Sequence, residues 1–354
     1  MSRFFSEKYN VLVPYTPGEQ PKDMKYVKLN TNESPFPPSP KAQEYAKKAA
    51  ETVQLYSDPE CRDLVAIAAE HYGVDKDEIL FTNGSDEILN FAFMAFCDEK
   101  HPAAFPDISY GFYPVFAQLN GVPYTQIPLK EDFSICVEDY MGRNETIVIA
   151  NPNAPTGLTL SVEEIEKIIR SNPDNVVIID EAYVDFGAES VVHLIHKYDN
   201  LLVTQTFSKS RSLAGARLGL GIGNKKLIQD LNTIKYSTNP YNINRMTMAA
   251  GVGVLEDEEY TQANCREIAR VREWTSVELR KLGFVMTASL ANFIFAKHPQ
   301  VDGKEIYLRL KEKGVLIRHF DSERLCQYNR ITVGSAEQME ILIDKLKEVL
   351  EEGR

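Results

Sequence analysis

Some stretches of this chain are apolar at nearly every position. Others carry apolar residues every third or fourth position. "TIVIANP", "NVVIIDEAY" and "NLLVTQTF" are near-continuous β-branched runs. Such runs predict strands covered on both faces, as in a parallel sheet. "EILFT" predicts one more short strand. "GLGIG" at 219–223 lacks the G-x-G-x-x-G spacing of a dinucleotide loop and reads as small residues in a strand. "AQEYAKKAAETV", "CRDLVAIAAEHYG", "SDEILNFAFMAFC", "SVEEIEKIIRS" and "SVVHLIHKY" predict helices, the second stopping at Gly73. This alternation is βαβ organisation.

The ends of the chain follow other patterns. Residues 1–44, with "TPGEQP" and "ESPFPPSP", predict an extended N-terminal arm. Residues 45–249 carry the alternating pattern and form a large α/β domain. Past residue 250 a long charged helix, "YTQANCREIARVREWTSVELRKLG", precedes short strands in "NFIFAKH", "GVLIRHF" and "RITVGS" and a closing helix, "AEQMEILIDKLKEVLEEG". Residues 250–354 therefore predict a smaller α+β domain. A length of 354 residues also exceeds what one core usually supports.

Composition narrows the partners. A formal net charge of -12 argues against nucleic acid and anionic membranes, so positive charges for an anionic substrate must be local. Five scattered cysteines without C-x-x-C predict neither a disulfide framework nor a metal site, and fit a reducing compartment. "MSRFFSEKYN" has no apolar core of a secretory signal, and no apolar run approaches the ~20 residues of a membrane span. A cytoplasmic location is expected.

The candidate chemistry lies at strand ends, where open parallel sheets bind ligands. Three successive strands end in Asn153, Asp180 and Lys209, at spacings of 27 and 29 residues, about one crossover each. "FTNGSDEIL" is strand, turn and helix, with Gly84, Ser85 and Asp86 at a helix start suited to an anion. Arg217 follows Lys209 eight residues later among small residues. A phosphate seat, a lysine, a carboxylate and an arginine match pyridoxal phosphate chemistry. The lysine bonds the cofactor, and the aspartate keeps its ring nitrogen protonated. Each feature alone has a plainer reading as a solvated loop or a helix cap. Their order and spacing together carry the argument.

These residues resemble a known family. "TFSKSRSLAGARLG" is similar to the lysine signature of fold-type I, class II pyridoxal-phosphate aminotransferases, and "NPNAPTG", "DEAY" and "NGSDE" match it too. "VPYTPGEQ", "KLNTNESPFPPSP", "LYSDP", "PYNINRMTMAA", "GVLIRHF" and "RITVGS" resemble its histidinol-phosphate aminotransferase branch. The resemblance spans nearly the whole chain. It implies a fold-type I transferase: a large domain with a mostly parallel central sheet and helices on both faces, plus a smaller α+β domain. It further implies a cytoplasmic homodimer with shared active sites. The activity would interconvert L-histidinol phosphate and 2-oxoglutarate with imidazole acetol phosphate and L-glutamate, in histidine biosynthesis. A threonine-phosphate decarboxylase or an aromatic amino-acid aminotransferase on the same fold is the alternative.

The implied roles fall on matching positions. Lys209 would be the Schiff-base lysine and proton shuttle. Asp180 would pair with the pyridine nitrogen, and Asn153 and Tyr183 with the ring hydroxyl. Tyr110 would stack on the ring. Gly84, Ser85, Asp86, Thr206, Ser208 and Arg217 would hold the phosphate, and Tyr56 would reach the phosphate in the partner subunit. Arg330 would grip a carboxylate or phosphate of the substrate bidentately. Arg318 and Tyr15 would assist, with Asn32 at the mouth. Three positions depart from the pattern: Ala154 in "NPNAPTG", and Ser210 and Arg211 after the lysine. Arg211 is expected to add charge near the phosphate end.

Overall fold

The computed structural model describes residues 2–352. A short 3-10 turn (Glu7–Tyr9) and a two-residue strand β1 (Val27–Lys28) precede helix α1 (Pro40–Ala50), which is capped by the Ser39 side chain. Helix α2 (Arg62–Tyr72) ends at Gly73 in the left-handed conformation, where a side chain would be strained. Then β2 (Ile79–Thr82), α3 (Ser85–Phe96), β3 (Ala103–Pro106), α4 (Tyr113–Asn120) and β4 (Tyr124–Ile127) follow. The three β-branched runs become β5 (Thr146–Ala150), β6 (Val177–Asp180) and β7 (Leu201–Thr206). Helix α5 (Val162–Ser171) lies between β5 and β6 and opens on a Ser161–Glu164 capping box. "GLGIG" is strand β8 (Gly219–Gly223), followed by α6 (Lys225–Thr238) and α7 (Arg245–Leu255).

These strands form one seven-stranded sheet in the order β2-β8-β7-β6-β5-β3-β4. β8 runs antiparallel to both neighbours, and every other pair in the sheet is parallel. The sheet is thus mostly parallel, as expected. Alternation along the strands splits its two faces. Ile147, Ile149, Val177, Ile179 and Val203 pack against α2, α5 and α7. Val148, Ile178 and Leu202 pack against α3, α4 and α6.

The smaller unit starts with α8 (Glu258–Lys281). A four-stranded sheet follows, ordered β12-β13-β10-β9, from β9 (Val285–Met286), β10 (Phe293–Lys297), β12 (Arg318–His319) and β13 (Asn329–Thr332). Helices α9 (Gly303–Glu312) and α10 (Ala336–Glu352) cover it. Strand β11 (Val315–Leu316) pairs in parallel with β1, so the arm is stitched to this unit.

Two boundaries differ from the sequence-based expectation. Residue 249 lies inside α7, whose Ala250, Val254 and Leu255 still belong to the large core, whereas Cys265 and Ile268 of α8 belong to the small one. The predicted helix "SVVHLIHKY" is a short 3-10 turn at Val192–His196. Its apolar residues Val191, Val192, Leu194 and Ile195 are all buried, a clump and not a helical stripe. Among the described residues no helix is long and apolar enough to cross a membrane.

Candidate active site

Strands β5, β6 and β7 are neighbours in the sheet, so their carboxyl ends lie side by side. Position 180 pairs with Ala150 on one side and Thr204 on the other. Asp180 and Glu181 are adjacent, yet period-2 alternation sends them to opposite faces. Asp180 faces α4, where its carboxylate accepts from the Tyr113 hydroxyl (2.8 Å) and the Thr204 hydroxyl (3.3 Å). Glu181 faces α2 and accepts from Ser190, Gln205 and the Val191 amide.

Asp180 is 4% exposed, and among the described residues it has hydroxyl partners and no ion pair. Burial pushes its acid up from an ordinary 3.8 to about 6. An isolated buried carboxylate is costly unless a positive or protonated partner completes it. It borders a cavity of about 270 Å³ that is also lined by Lys209, Tyr183, Tyr110, Ser85, Asp86, Thr206, Ser208 and Arg217. Ala150, Ala154 and Ala182 keep the walls close to the backbone. The departure Ala154 therefore leaves room in this cavity.

Lys209 donates from Nζ to the Thr31 carbonyl at 3.3 Å. Burial first, then nearby Arg330, brings its ammonium down to about 8. At the other end, Arg217 donates to Asp86 Oδ2 (3.1 Å) and Ser208 Oγ (3.3 Å), and Tyr110 donates to Asp86 Oδ1 (2.6 Å). Gly84 has φ +80°, and a Cβ there would run into the Arg217 guanidinium. Thr206 Oγ1 accepts from the Ser208 amide. These hydroxyls, the guanidinium and the α3 N-terminus suit a phosphate. The uncompensated Asp180 suits a pyridinium. The residues present fit pyridoxal phosphate.

Tyr183 accepts from the Asn32 amide at 3.0 Å, so its own hydrogen is free to donate. Burial raises its pKa above the ordinary phenol value, keeping it a neutral donor. Asn32 is 1% exposed, and its positive φ of 56° is fixed by bonds to Thr332 and Asn292. Asn153 follows the end of β5, as expected, and its side chain is bonded within the chain. Its amide donates to the Ile108 carbonyl and Thr156 Oγ1, and its oxygen accepts from Ser109. Both amide hydrogens are therefore spent within the chain.

A second cavity of about 720 Å³ shares Thr31, Tyr110, Ala154, Tyr183 and Lys209 with the first. Tyr15, Asn32, Arg318, Phe320, Leu325 and Arg330 line it as well. Antiparallel pairing of β12 and β13 sets Arg318 directly opposite Arg330. Like charges so placed repel. Arg330 donates to the Asn30 carbonyl, and its buried Nε has no partner among the described residues. Arg318 makes long bonds to the Thr16 and Pro17 carbonyls.

Tyr56 and Arg211 lie outside both cavities. Tyr56 is 80% exposed, stacks on Tyr241 at 4.7 Å and lines neither cavity of its own chain. Arg211 adds no charge at the phosphate end. It is 3% exposed and turned to Asp185 at 2.7 Å, on the α2 side where His71 lies. Sequence reasoning missed Tyr113 and Thr31, which touch Asp180 and Lys209. Their signals lie in "ISYGFY", which also holds Tyr110, and in "NTNES", which also holds Asn32.

Comparison with known proteins places this geometry. The family model for "Aminotransferase class I and II" matches residues 24–346. The histidinol-phosphate aminotransferase of Brachyspira hyodysenteriae is 49% identical, with 99% of each chain covered. That of Clostridium beijerinckii is 47% identical, over 99% of this chain and 98% of its own. The crystal structure of the Sinorhizobium meliloti histidinol-phosphate aminotransferase, in complex with pyridoxal-5'-phosphate, shares the fold. Its TM-score is 0.86 at 24% identity, covering 93% of this chain and 92% of that one. A match that runs through the arm, both sheets and both cavities leaves one assignment: the chain belongs to the class I and II aminotransferases, in their histidinol-phosphate branch.

Proposed function

We propose that this protein moves the amino group of L-glutamate to imidazole acetol phosphate, yielding 2-oxoglutarate and L-histidinol phosphate, a step of histidine biosynthesis. The reaction runs in either direction as two half-reactions at one site. The observation that carries the substrate assignment is the cross-strand pair Arg318–Arg330. Both line the cavity that reaches Lys209, and neither is ion-paired to a carboxylate among the described residues. Two adjacent cations without a counter-ion call for an anionic ligand, and a guanidinium fork accepts carboxylate and phosphate alike. Phe320 and Leu325 on the same wall offer an apolar surface to the rest of the substrate.

When bound, pyridoxal phosphate supplies an electron sink for charge developing at the amine-bearing carbon. The chain's residues supply the remainder. Lys209 would attach the cofactor and then carry a proton to and from that carbon. Its amine, brought down to about 8, is neutral at pH 7 roughly 300-fold more often than at the ordinary 10.5. Asp180 would hold the proton on the ring nitrogen, and Tyr183 would donate to the ring hydroxyl. Ser85, Ser208, Thr206 and Arg217 would seat the phosphate. Tyr110 would cover one side of the ring, its hydroxyl anchored on Asp86.

A homodimer is part of the proposal. Tyr56 is exposed beside exposed Val53 and Leu55, an arrangement that suits a partner's site better than its own. The five cysteines are free, and the cytoplasm is the proposed location.

Purified protein given histidinol phosphate and 2-oxoglutarate should produce glutamate. Borohydride reduction should fix the cofactor on Lys209, found by mass spectrometry, and Lys209→Ala should lose both attachment and turnover. Release of CO₂ from threonine phosphate without glutamate formation would replace the proposal by the decarboxylase reading.

A further inference from the structure

The two residues that follow Lys209 depart from the family pattern, and the structure shows where they point. Ser210 and Arg211 are both buried, and both end on one carboxylate oxygen, Oδ2 of Asp185. Ser210 donates through its hydroxyl. Arg211 donates from Nη1 at 2.7 Å and also reaches Ser210 Oγ at 3.2 Å, closing a triangle. Asp185 sits in the 3-10 turn Val184–Phe186, directly after Tyr183 and five residues beyond Asp180.

Few backbone bonds hold the loop that carries Lys209 between Phe207 and Leu213. Leu213 N bonds to Phe207 O at 2.9 Å, while Ser212 N reaches Lys209 O at only 3.4 Å. Ser212 takes a positive φ of 56°, a conformation that L residues adopt only when their surroundings impose it. Behind the loop the Arg211 guanidinium lies over the Phe207 ring at 5.0 Å, with His71 Nε2 at 3.3 Å and Glu258 Oε2 at 3.9 Å. The guanidinium is thus wedged between the sheet end, α2 and the start of α8. Cutting its bond to Asp185 would remove a direct link between the segment on which Lys209 is mounted and the turn that follows Tyr183.

We propose that Asp185 is a positioning residue: by gripping Ser210 and Arg211 together, it fixes the Lys209 backbone relative to the turn that bears Asp180 and Tyr183. The clamp touches neither substrate nor cofactor. It sets the distance over which Lys209 must reach. This rests on the assignment of Lys209, Asp180 and Tyr183 made above.

The test starts from cofactor-free, full-length protein. Added pyridoxal phosphate is reduced with borohydride at successive times, which gives the rate of covalent capture on Lys209. Asp185→Ala should slow capture and lower kcat about 10- to 100-fold, the scale of a roughly 1 Å misplacement, with KM for glutamate within about 2-fold of wild type. Asp185→Ala also strands a buried cation and can lower the melting temperature for that reason alone. The double variant Asp185→Ala/Arg211→Met removes that cation. The expected result is recovery of the melting temperature with capture and kcat still slow. Recovery of all three would overturn the proposal and leave an ion pair that stabilises only the core. Ser210→Ala keeps the ion pair and should give a smaller, parallel loss of capture rate and kcat. No loss of either would also count against the clamp. Wild-type protein that captures the cofactor on another lysine would overturn the site assignment instead, so the two failures are distinguishable.

Discussion

Tyr113→Phe removes one hydroxyl and leaves the ring, which is wholly buried and packs on Phe105 and Tyr110. What is lost is the 2.8 Å bond to Asp180. In cofactor-free protein Asp180 has a folded-state value of about 6 against an ordinary 3.8, so the folded chain holds the acid's proton more tightly than the unfolded chain. Its contribution to stability is full below pH 3.8 and is lost as pH rises through about 6, about 3 kcal/mol in all. The Tyr113 hydroxyl opposes that loss by stabilising the ionised form. A hydrogen bond to a charged group contributes about 1.5–3 kcal/mol, and one to a neutral group about 0.5–1.5. Tyr113→Phe should therefore cost about 1–2 kcal/mol more at pH 8, where Asp180 is ionised, than at pH 5, where it is mostly protonated. Urea unfolding of cofactor-free wild type and variant at both pH values measures the difference. Glu181, pushed up by burial to about 7, titrates in both proteins and cancels. Saturation with pyridoxal phosphate should flatten the difference, because the ring nitrogen's proton then shares the carboxylate. An equal cost at pH 5 and pH 8 would show that the hydroxyl does not bear on the charge of Asp180.

Two further outcomes follow from the site. Arg330→Ala should slow both half-reactions, whereas Arg318→Ala should slow the histidinol-phosphate half more than the glutamate half; single-turnover absorbance with each amine separates them, and equal losses for Arg318→Ala would refute the division. Tyr56→Phe should weaken cofactor binding in the homodimer, but hybrids of Tyr56→Phe with Lys209→Ala subunits should bind normally at the one site that retains Lys209. A defect at that site would place Tyr56 in its own subunit.

The strands β5, β6 and β7 were legible because burial on both faces gives them nearly continuous apolar and β-branched runs, and their ends carried the chemistry. Strands β3 ("AAFP"), short and without a β-branched residue, and β4 ("YTQI"), short and half exposed at an edge of the sheet, carry no such signal, and helices α4, α6, α7 and α9 show no clear pattern either. Within the site, spacing along the chain led to Asp180 and Lys209, but no spacing reveals which side of a loop a residue faces. Arg211 turns away from the phosphate end because the chain bends at Ser212 and a carboxylate waits at Asp185. Asn153 stands where the sequence placed it, yet its amide is occupied by neighbours from other segments. Tyr113 and Thr31 gain their importance from packing between distant segments, which no local pattern records.

The arm's attachment bears on when, during synthesis, the site can be finished. The Thr31 carbonyl meets Lys209, and the Asn32 amide meets Tyr183, so this short segment is part of the inner wall. Asn32 is itself held by Thr332, and Leu29 O accepts from the Thr332 amide, 300 residues or more downstream. At ~5–20 residues per second the ribosome needs roughly 15–60 s between making the first partner and the last. From residue 223 onward the seven-stranded sheet has all its residues, while the arm still lacks its seat on Thr332. A nascent chain cut short before β13 could hold a folded large sheet and still lack the wall against which Lys209 and Tyr183 are set. Completion of the active site is thereby tied to completion of the polypeptide, and an interrupted translation product should be catalytically silent.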